Sequence, residues 1–245
     1  MDQRGAPEFI LEAFADPSSV RDVVRGILHT IFFLRYFSAV LPQTRDVLGL
    51  ELAYVPEAEI ETLIDQRVAA LVRQLESERH QSHALSDNRG GGLGLGLLGA
   101  GTPPSTTSSG GGGRGQVTIQ FLEKRRRKTW YAMRGDDEVC WESWTVKVTV
   151  ADPRTEGERA KVRRASETTL HNTIMKTITL ANAHKDHIPP ITTSDSNPFP
   201  YQIHVGTNGG NSSQHSPQPL QQQQQQRKEA AVTAATGWAT RMGIY

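Results

Sequence analysis

The residues best suited to chemistry lie between Gln116 and Val150. Lys124-Arg125-Arg126-Arg127-Lys128 is an unbroken run of five cations, and Trp130 and Tyr131 follow it closely. Cations beside stackable rings can hold a nucleic-acid backbone and its bases. The same run can meet an acidic protein or lipid surface, or it can keep a strand end solvated and deter edge pairing, which is the ordinary role of such a run. Trp130 and Tyr131 sit where a loop should be polar, so they are candidate partner-binding residues, provided they do not fold back onto the sheet. A docked ring of this size buries roughly 150–250 Å². At about 25 cal/mol per Å² that is roughly 4–6 kcal/mol gross per ring, before ordering costs. One or two such rings can dominate a small interface.

Other candidate groups carry less. His184 and His187 flank Asp186 at a helix end. Metal ligation there needs further ligands that the sequence does not supply, so a solvated helix terminus is the default. His29 falls on the polar side of a helix and reads as a surface histidine. Arg163-Arg164-Ala165-Ser166 resembles a basic-directed phosphorylation sequence, a match that on a helix is usually incidental. The glycines from Gly90 to Gly101 lack the strand before and the helix start after that a phosphate-cradling loop requires, and Pro103-Pro104 follows them. No G-x-S-x-G, H-E-x-x-H or Walker-type sequence occurs, so no residue constellation supports an enzyme. No cofactor is expected.

The chain has 245 residues and a formal net charge of +1, so it exerts no global pull on nucleic acid or an acidic membrane. Cys140 is the only cysteine, which excludes an intrachain disulfide and a thiolate zinc cage. With no apolar run of membrane-spanning length and no signal-peptide core in Met1–Pro7, a reducing cytoplasmic or nuclear setting is expected. Two tracts lack the apolar side chains to offset ordering entropy: a Gly/Ser-rich insertion at 86–115 and a Gln-rich segment at 206–229. Both are expected to be disordered. The remainder suits a single domain over 8–205, followed by a short helix or strand at 230–245.

The elements that must position these residues follow from periodicity. Glu8 to Ala15 alternates imperfectly as a first strand. Asp16-Pro17 supplies a capping acid and a proline for the first turn of a helix reaching about Tyr36. Its buried stripe is Val20, Val23, Val24, Ile27 and Ile31, with Arg21, Asp22, Arg25 and His29 opposite. Leu48, Leu50, Leu52 and Tyr54 alternate as a second strand that ends at Pro56. Glu57, Glu59 and Glu61 then load the start of a second helix, where negative charge suits the dipole, and its apolar face runs through about Arg79. Val117, Ile119 and Phe121 mark one strand. Trp144, Val146, Val148 and Val150 mark the next, with Trp144 in the core and Trp141 expected on the opposite face. Thr155-Glu156-Gly157-Glu158 is a capping box that opens a third helix to near Ala183, and Phe199 to Val205 is a short last strand. Three helices among antiparallel strands give an α+β domain with the helices packed on one sheet face.

Against this element order, the stretch Gln116 to Lys128, then Trp130, then Cys140-Trp141-Glu142-Ser143-Trp144-Thr145-Val146-Lys147-Val148 resembles the autophagy-related protein 101 family. Leu28-His29-Thr30 and Pro200-Tyr201 are similar to that family's Leu-His-Thr and Pro-Tyr. The resemblance implies a HORMA fold, with three helices on a β-sheet. It implies a non-catalytic subunit of the autophagy-initiation kinase complex that forms a heterodimer with the HORMA domain of autophagy-related protein 13. An exposed aromatic finger would recruit downstream autophagy factors to the phagophore assembly site. Here the finger maps onto Trp130 with Tyr131, although Trp130-Tyr131-Ala132 departs from the Trp-Pro-Phe of some members. The alternative to this scaffold is a nucleic-acid-binding module built on Lys124–Lys128. The two insertions fit a fungal-type variant, and at loops they add little closure cost.

Overall fold

In chain order the elements are β1 (Glu8–Ala15), α1 (Val20–Arg35), β2 (Gln43–Val47), β3 (Leu50–Tyr54), α2 (Ala58–Asp87), β4 (Arg114–Arg125), β5 (Asp137–Val150), α3 (Glu156–Ala183) and β6 (Tyr201–Gly206). The computed structural model describes residues 5–39, 41, 43–87, 113–125, 137–192 and 197–206, with backbone only for 81–87. The Gly/Ser-rich tract from 88 to 112, the residues 126–136 that include Trp130 and Tyr131, and everything after 206 lie outside this part.

Alternation builds the main sheet. Its order is β1-β5-β4-β6. Phe9, Leu11, Ala13 and Ala15 of β1 share the buried face with Trp144, Val146, Val148 and Val150 of β5, Val117, Ile119 and Phe121 of β4, and Ile203 of β6. The opposite face is mostly polar, and there the Thr118 and Thr145 hydroxyls bond at 3.1 Å. The three helices make the α+β architecture that periodicity predicts. Antiparallel pairing holds for β4–β5 and β4–β6, but β1 runs parallel to β5, so the sheet is mixed. The parallel pair is possible because α1, α2 and β4 intervene before β5, giving ample chain for a crossover. The outer edge of β1 is covered by α3. Thr173 Oγ1 donates to the Glu12 carbonyl at 2.5 Å and Lys176 Nζ to the Ile10 carbonyl at 2.9 Å. Covering an edge in this way removes a template for association with other chains.

Three local expectations are corrected. The helix after Asp16-Pro17 starts at Val20 rather than at the proline. Asp16 Oδ1 instead accepts from the backbone N–H of Ser18 and Ser19, at 2.7 and 3.0 Å, and makes a turn that leads into α1. The strand read near Leu48 is a two-stranded hairpin, β2–β3, which turns at Leu48 (φ 53°) and Gly49 (φ 81°). Two successive positive φ values suit the tight turn that matches strand twist, and Leu48 is an uncommon residue there. β2 escaped detection because Gln43, Thr44, Arg45 and Asp46 are all exposed and carry no apolar alternation.

The third correction concerns His29, which is 1% exposed and not on the surface. Arg21 and Asp22 at the start of that side of α1 are exposed, but at His29 the β2–β3 hairpin lies across the helix and shuts out water. At Gly26 the helix and hairpin approach so closely that a Cβ would come within 2.8 Å of Leu52 Cδ1 and 3.3 Å of Val47 Cγ2. With the sheet on one side and the hairpin on the other, α1 is buried at Gly26, Ile27, Leu28, His29, Thr30, Ile31 and Phe32 in succession. The capping box of α3 is present as its sequence predicts: Thr155 accepts from the Glu158 N–H, and the Glu158 carboxylate accepts from the Thr155 N–H.

Candidate functional site at the root of the β4–β5 hairpin

β4 and β5 continue as a paired ribbon up to Arg125 and Asp137, the residues that flank in sequence the segment carrying the candidate rings. The last rungs set Glu123 opposite Val139, Lys124 opposite Glu138 and Arg125 opposite Asp137. Directly opposed unlike charges stabilise an antiparallel pair. Arg125 Nε also donates to Glu123 Oε2 at 2.7 Å. The first two cations of the basic run therefore face acids across the ladder. Arg126, Arg127, Lys128, Trp130 and Tyr131 lie outside the described residues.

Below these rungs the register shifts. Phe121 pairs with Glu142 but Leu122 pairs with Cys140, which leaves Trp141 as the extra residue of a β-bulge. A bulge of this kind brings two neighbouring side chains towards the same face. Trp141 accordingly packs against Phe121 (ring centroids 5.8 Å), Phe199 (5.1 Å) and His187 (5.8 Å). It belongs to the same core as Trp144, not to the opposite face that alternation predicts.

Glu142 also turns inward and is completely buried. A buried carboxylate is tolerated only when paired and hydrogen-bonded. Arg35, the last residue of α1, supplies the pair through Nε, at 2.8 and 3.0 Å from the two carboxylate oxygens. The Trp144 indole N–H donates to Glu142 Oε1, and His187 Nε2 lies 2.7 Å from Oε2. Arg35 Nη2 further donates to the carbonyls of Ala181 and His184, each at 3.1 Å, and so satisfies acceptors left open at the end of α3. One network thus ties the ends of α1 and α3 to the bulge that supports the hairpin. Sequence reasoning did not single it out. The signal was present, since Glu142 has the same parity as Trp144, Val146 and Val148 and a lone acid on an apolar face demands a buried cation.

Beside the network a groove of about 590 Å³ runs between Gly5–Pro7, the hairpin root and the turn after α3; Arg125, Val139, Cys140, Trp141, His184 and His187 line it. His184 is exposed at the end of α3, as a helix-terminal histidine should be, whereas His187 is engaged with Glu142. Among the described residues no set of three or more His, Cys, Asp or Glu side chains could hold a metal ion. Burial pushes the Cys140 thiol up, so it carries little thiolate. Ser166 is buried and donates to the Val162 carbonyl at 2.9 Å, so the basic sequence before it does not present an accessible hydroxyl. Among the described residues no helix is long and apolar enough to cross a membrane.

The family model described as Autophagy-related protein 101 matches residues 12–195. A relative from Arabidopsis thaliana, Autophagy-related protein 101, is 23% identical over 193 residues, covering 70% of this chain and 74% of the relative. The match takes in β1 from Glu12, all three helices and both strands of the hairpin. With well over half its length matched by that model, the chain belongs to the autophagy-related protein 101 family.

Proposed function

We propose that this autophagy-related protein is a non-catalytic scaffold in autophagosome formation. In this reading it pairs with the HORMA domain of autophagy-related protein 13 within the autophagy-initiation kinase complex. Trp130 and Tyr131 act as the finger that brings downstream factors to the phagophore assembly site. Family membership carries the reading. The hairpin root supports it: charge-matched rungs and a buried network hold β4 and β5 in fixed register up to the residues that flank the ring-bearing segment in sequence. Rings held on a rigid support lose little freedom on docking.

The pairing surface is assigned to the second half of α3. Thr168, His171, Asn172, Met175 and Thr179 are exposed there, and Met175 is 50% exposed. Between Thr168 and Ala183 the helix has one lysine, Lys176, which is bonded to β1, and no acid. Charge depletion around an exposed methionine is the composition of an interface core.

The test is co-purification with the HORMA domain of autophagy-related protein 13, followed by recovery of downstream factors from a cell extract. A Trp130→Ala/Tyr131→Ala variant should keep its fold and the heterodimer but lose recovery of those factors. Met175→Asp should do the reverse and lose the heterodimer first. Loss of folding in the double alanine variant would make the rings core residues and end the finger assignment.

A further inference from the structure

The Leu28-His29-Thr30 sequence in α1 is not used by the scaffold reading, yet its surroundings are unusual. His29 is 1% exposed, and neither ring nitrogen has a hydrogen-bond partner. Its ring lies 4.2 Å from that of Tyr54 on β3. The hairpin above it closes a small cavity of about 30 Å³, lined by Asp22, Arg25, Gly26, Arg45, Val47 and Tyr54 among others. Asp46 of β2 also borders it.

Charged groups reach this site from every element around it. From α1 comes Arg25, held by Glu61 at 3.0 Å and Asp65 at 3.0 Å. From β2 comes Arg45, whose guanidinium sits 4.1 Å above the Tyr54 ring and 3.8 Å from Glu61. The α2 acid Glu61 is therefore shared by two arginines and by the Tyr54 hydroxyl. A proton placed on His29 would face two guanidinium groups, and Glu61, the acid that would favour it, is already engaged by both of them.

We propose that the β2–β3 hairpin is an acid-releasable flap over α1, kept shut by the neutral state of His29. The flap rests chiefly on α1 and is not part of the main sheet, so it can lift without unpairing β1, β5, β4 or β6. Lifting it gives the imidazolium water and uncovers the Gly26–His29 strip of the helix. The direction of the equilibrium follows from linkage. Burial, then Arg25 and Arg45, lower the His29 value from 6.5 to about 4. The closed form holds its full advantage above the ordinary histidine value and loses it as pH falls from 6.5 to about 4.

Hydrogen exchange of the full chain, corrected for intrinsic rates, tests the proposal between pH 7.5 and 4.5. Amides of 43–54 should lose protection by about tenfold per pH unit below 6.5, while those of β4 and β5 keep theirs. His29→Phe, which keeps the stacking on Tyr54 but cannot titrate, should abolish that slope. A second variant, Gly26→Leu, should prise the flap open at neutral pH by crowding Leu52 and Val47. Three outcomes would overturn the proposal: an unchanged slope in His29→Phe, simultaneous loss of protection in hairpin and sheet, or an NMR titration of His29 near 6.5 with the hairpin still protected.

Discussion

Two buried ionisable sites lie along α1, and they solve the same problem in opposite ways. At the end of the helix Arg35 and Glu142 are buried with every partner supplied: an ion pair, an indole N–H, an imidazole and two helix-end carbonyls. Near the middle, His29 is given a ring to stack on but no hydrogen-bond partner, and stays neutral at pH 7. The first arrangement fixes three elements in one geometry. The second leaves a site whose cost depends on pH. Burial alone does not distinguish them, since both are almost inaccessible; satisfaction of the polar atoms does.

The strongest way to break the contrast is to strip the first site of its acid. Glu142→Ala leaves Arg35 buried without a counter-charge and should cost about 3–5 kcal/mol in chemical denaturation. A cost below about 1 kcal/mol would mean that the network is no more than surface-like. The second site is probed by acid. Between pH 6.5 and 4.5, the wild type should lose about 2 kcal/mol more stability than His29→Phe, because the unfolded chain takes up a proton that the folded chain refuses. Equal pH profiles would remove the difference between the two sites.

A smaller effect separates the charge from the packing at the first site. Arg35→Met combined with Glu142→Leu should recover about 2 kcal/mol relative to Glu142→Ala, since no unpaired charge is then left inside. Full recovery is not expected, because the Trp144 N–H and the α3 carbonyls lose partners. The baseline comes from an exposed pair. Arg163 and Glu167 lie 3.1 Å apart on α3, and Arg163→Ala should change stability by less than about 0.5 kcal/mol.

Periodicity exposed most of the framework. Val117, Ile119 and Phe121, and Trp144 to Val150, were legible because each faces one core at period two. The α3 capping box was legible because its residues act within one helical turn. What failed was whatever depended on a distant segment. β2 has no apolar face and exists by pairing with β3. His29 is polar on the side of α1 that looks like a surface until a hairpin covers it. Trp141 changes face because a single extra residue slips the register beside Leu122, which no local pattern announces. The Arg35–Glu142 network joins residues 107 positions apart, so its acid could be flagged by parity but its cation could not be named. For the finger, composition marked Trp130 and Tyr131 as misplaced for a loop, and resemblance gave them a role.

The parallel placement of β1 has a consequence for how the chain is made. Glu8 and Thr145, bonded at 3.1 Å, are 137 residues apart. The first strand leaves the ribosome with nothing to join until β5 has been synthesised, and the helix that shields its rim comes later still. During that interval Phe9, Leu11 and Ile10 are exposed to any chaperone within reach. Contacts this remote in sequence slow folding far more than they affect the final stability. Lengthening the tract from 88 to 112 should therefore delay maturation of the protein while leaving the finished molecule nearly as robust.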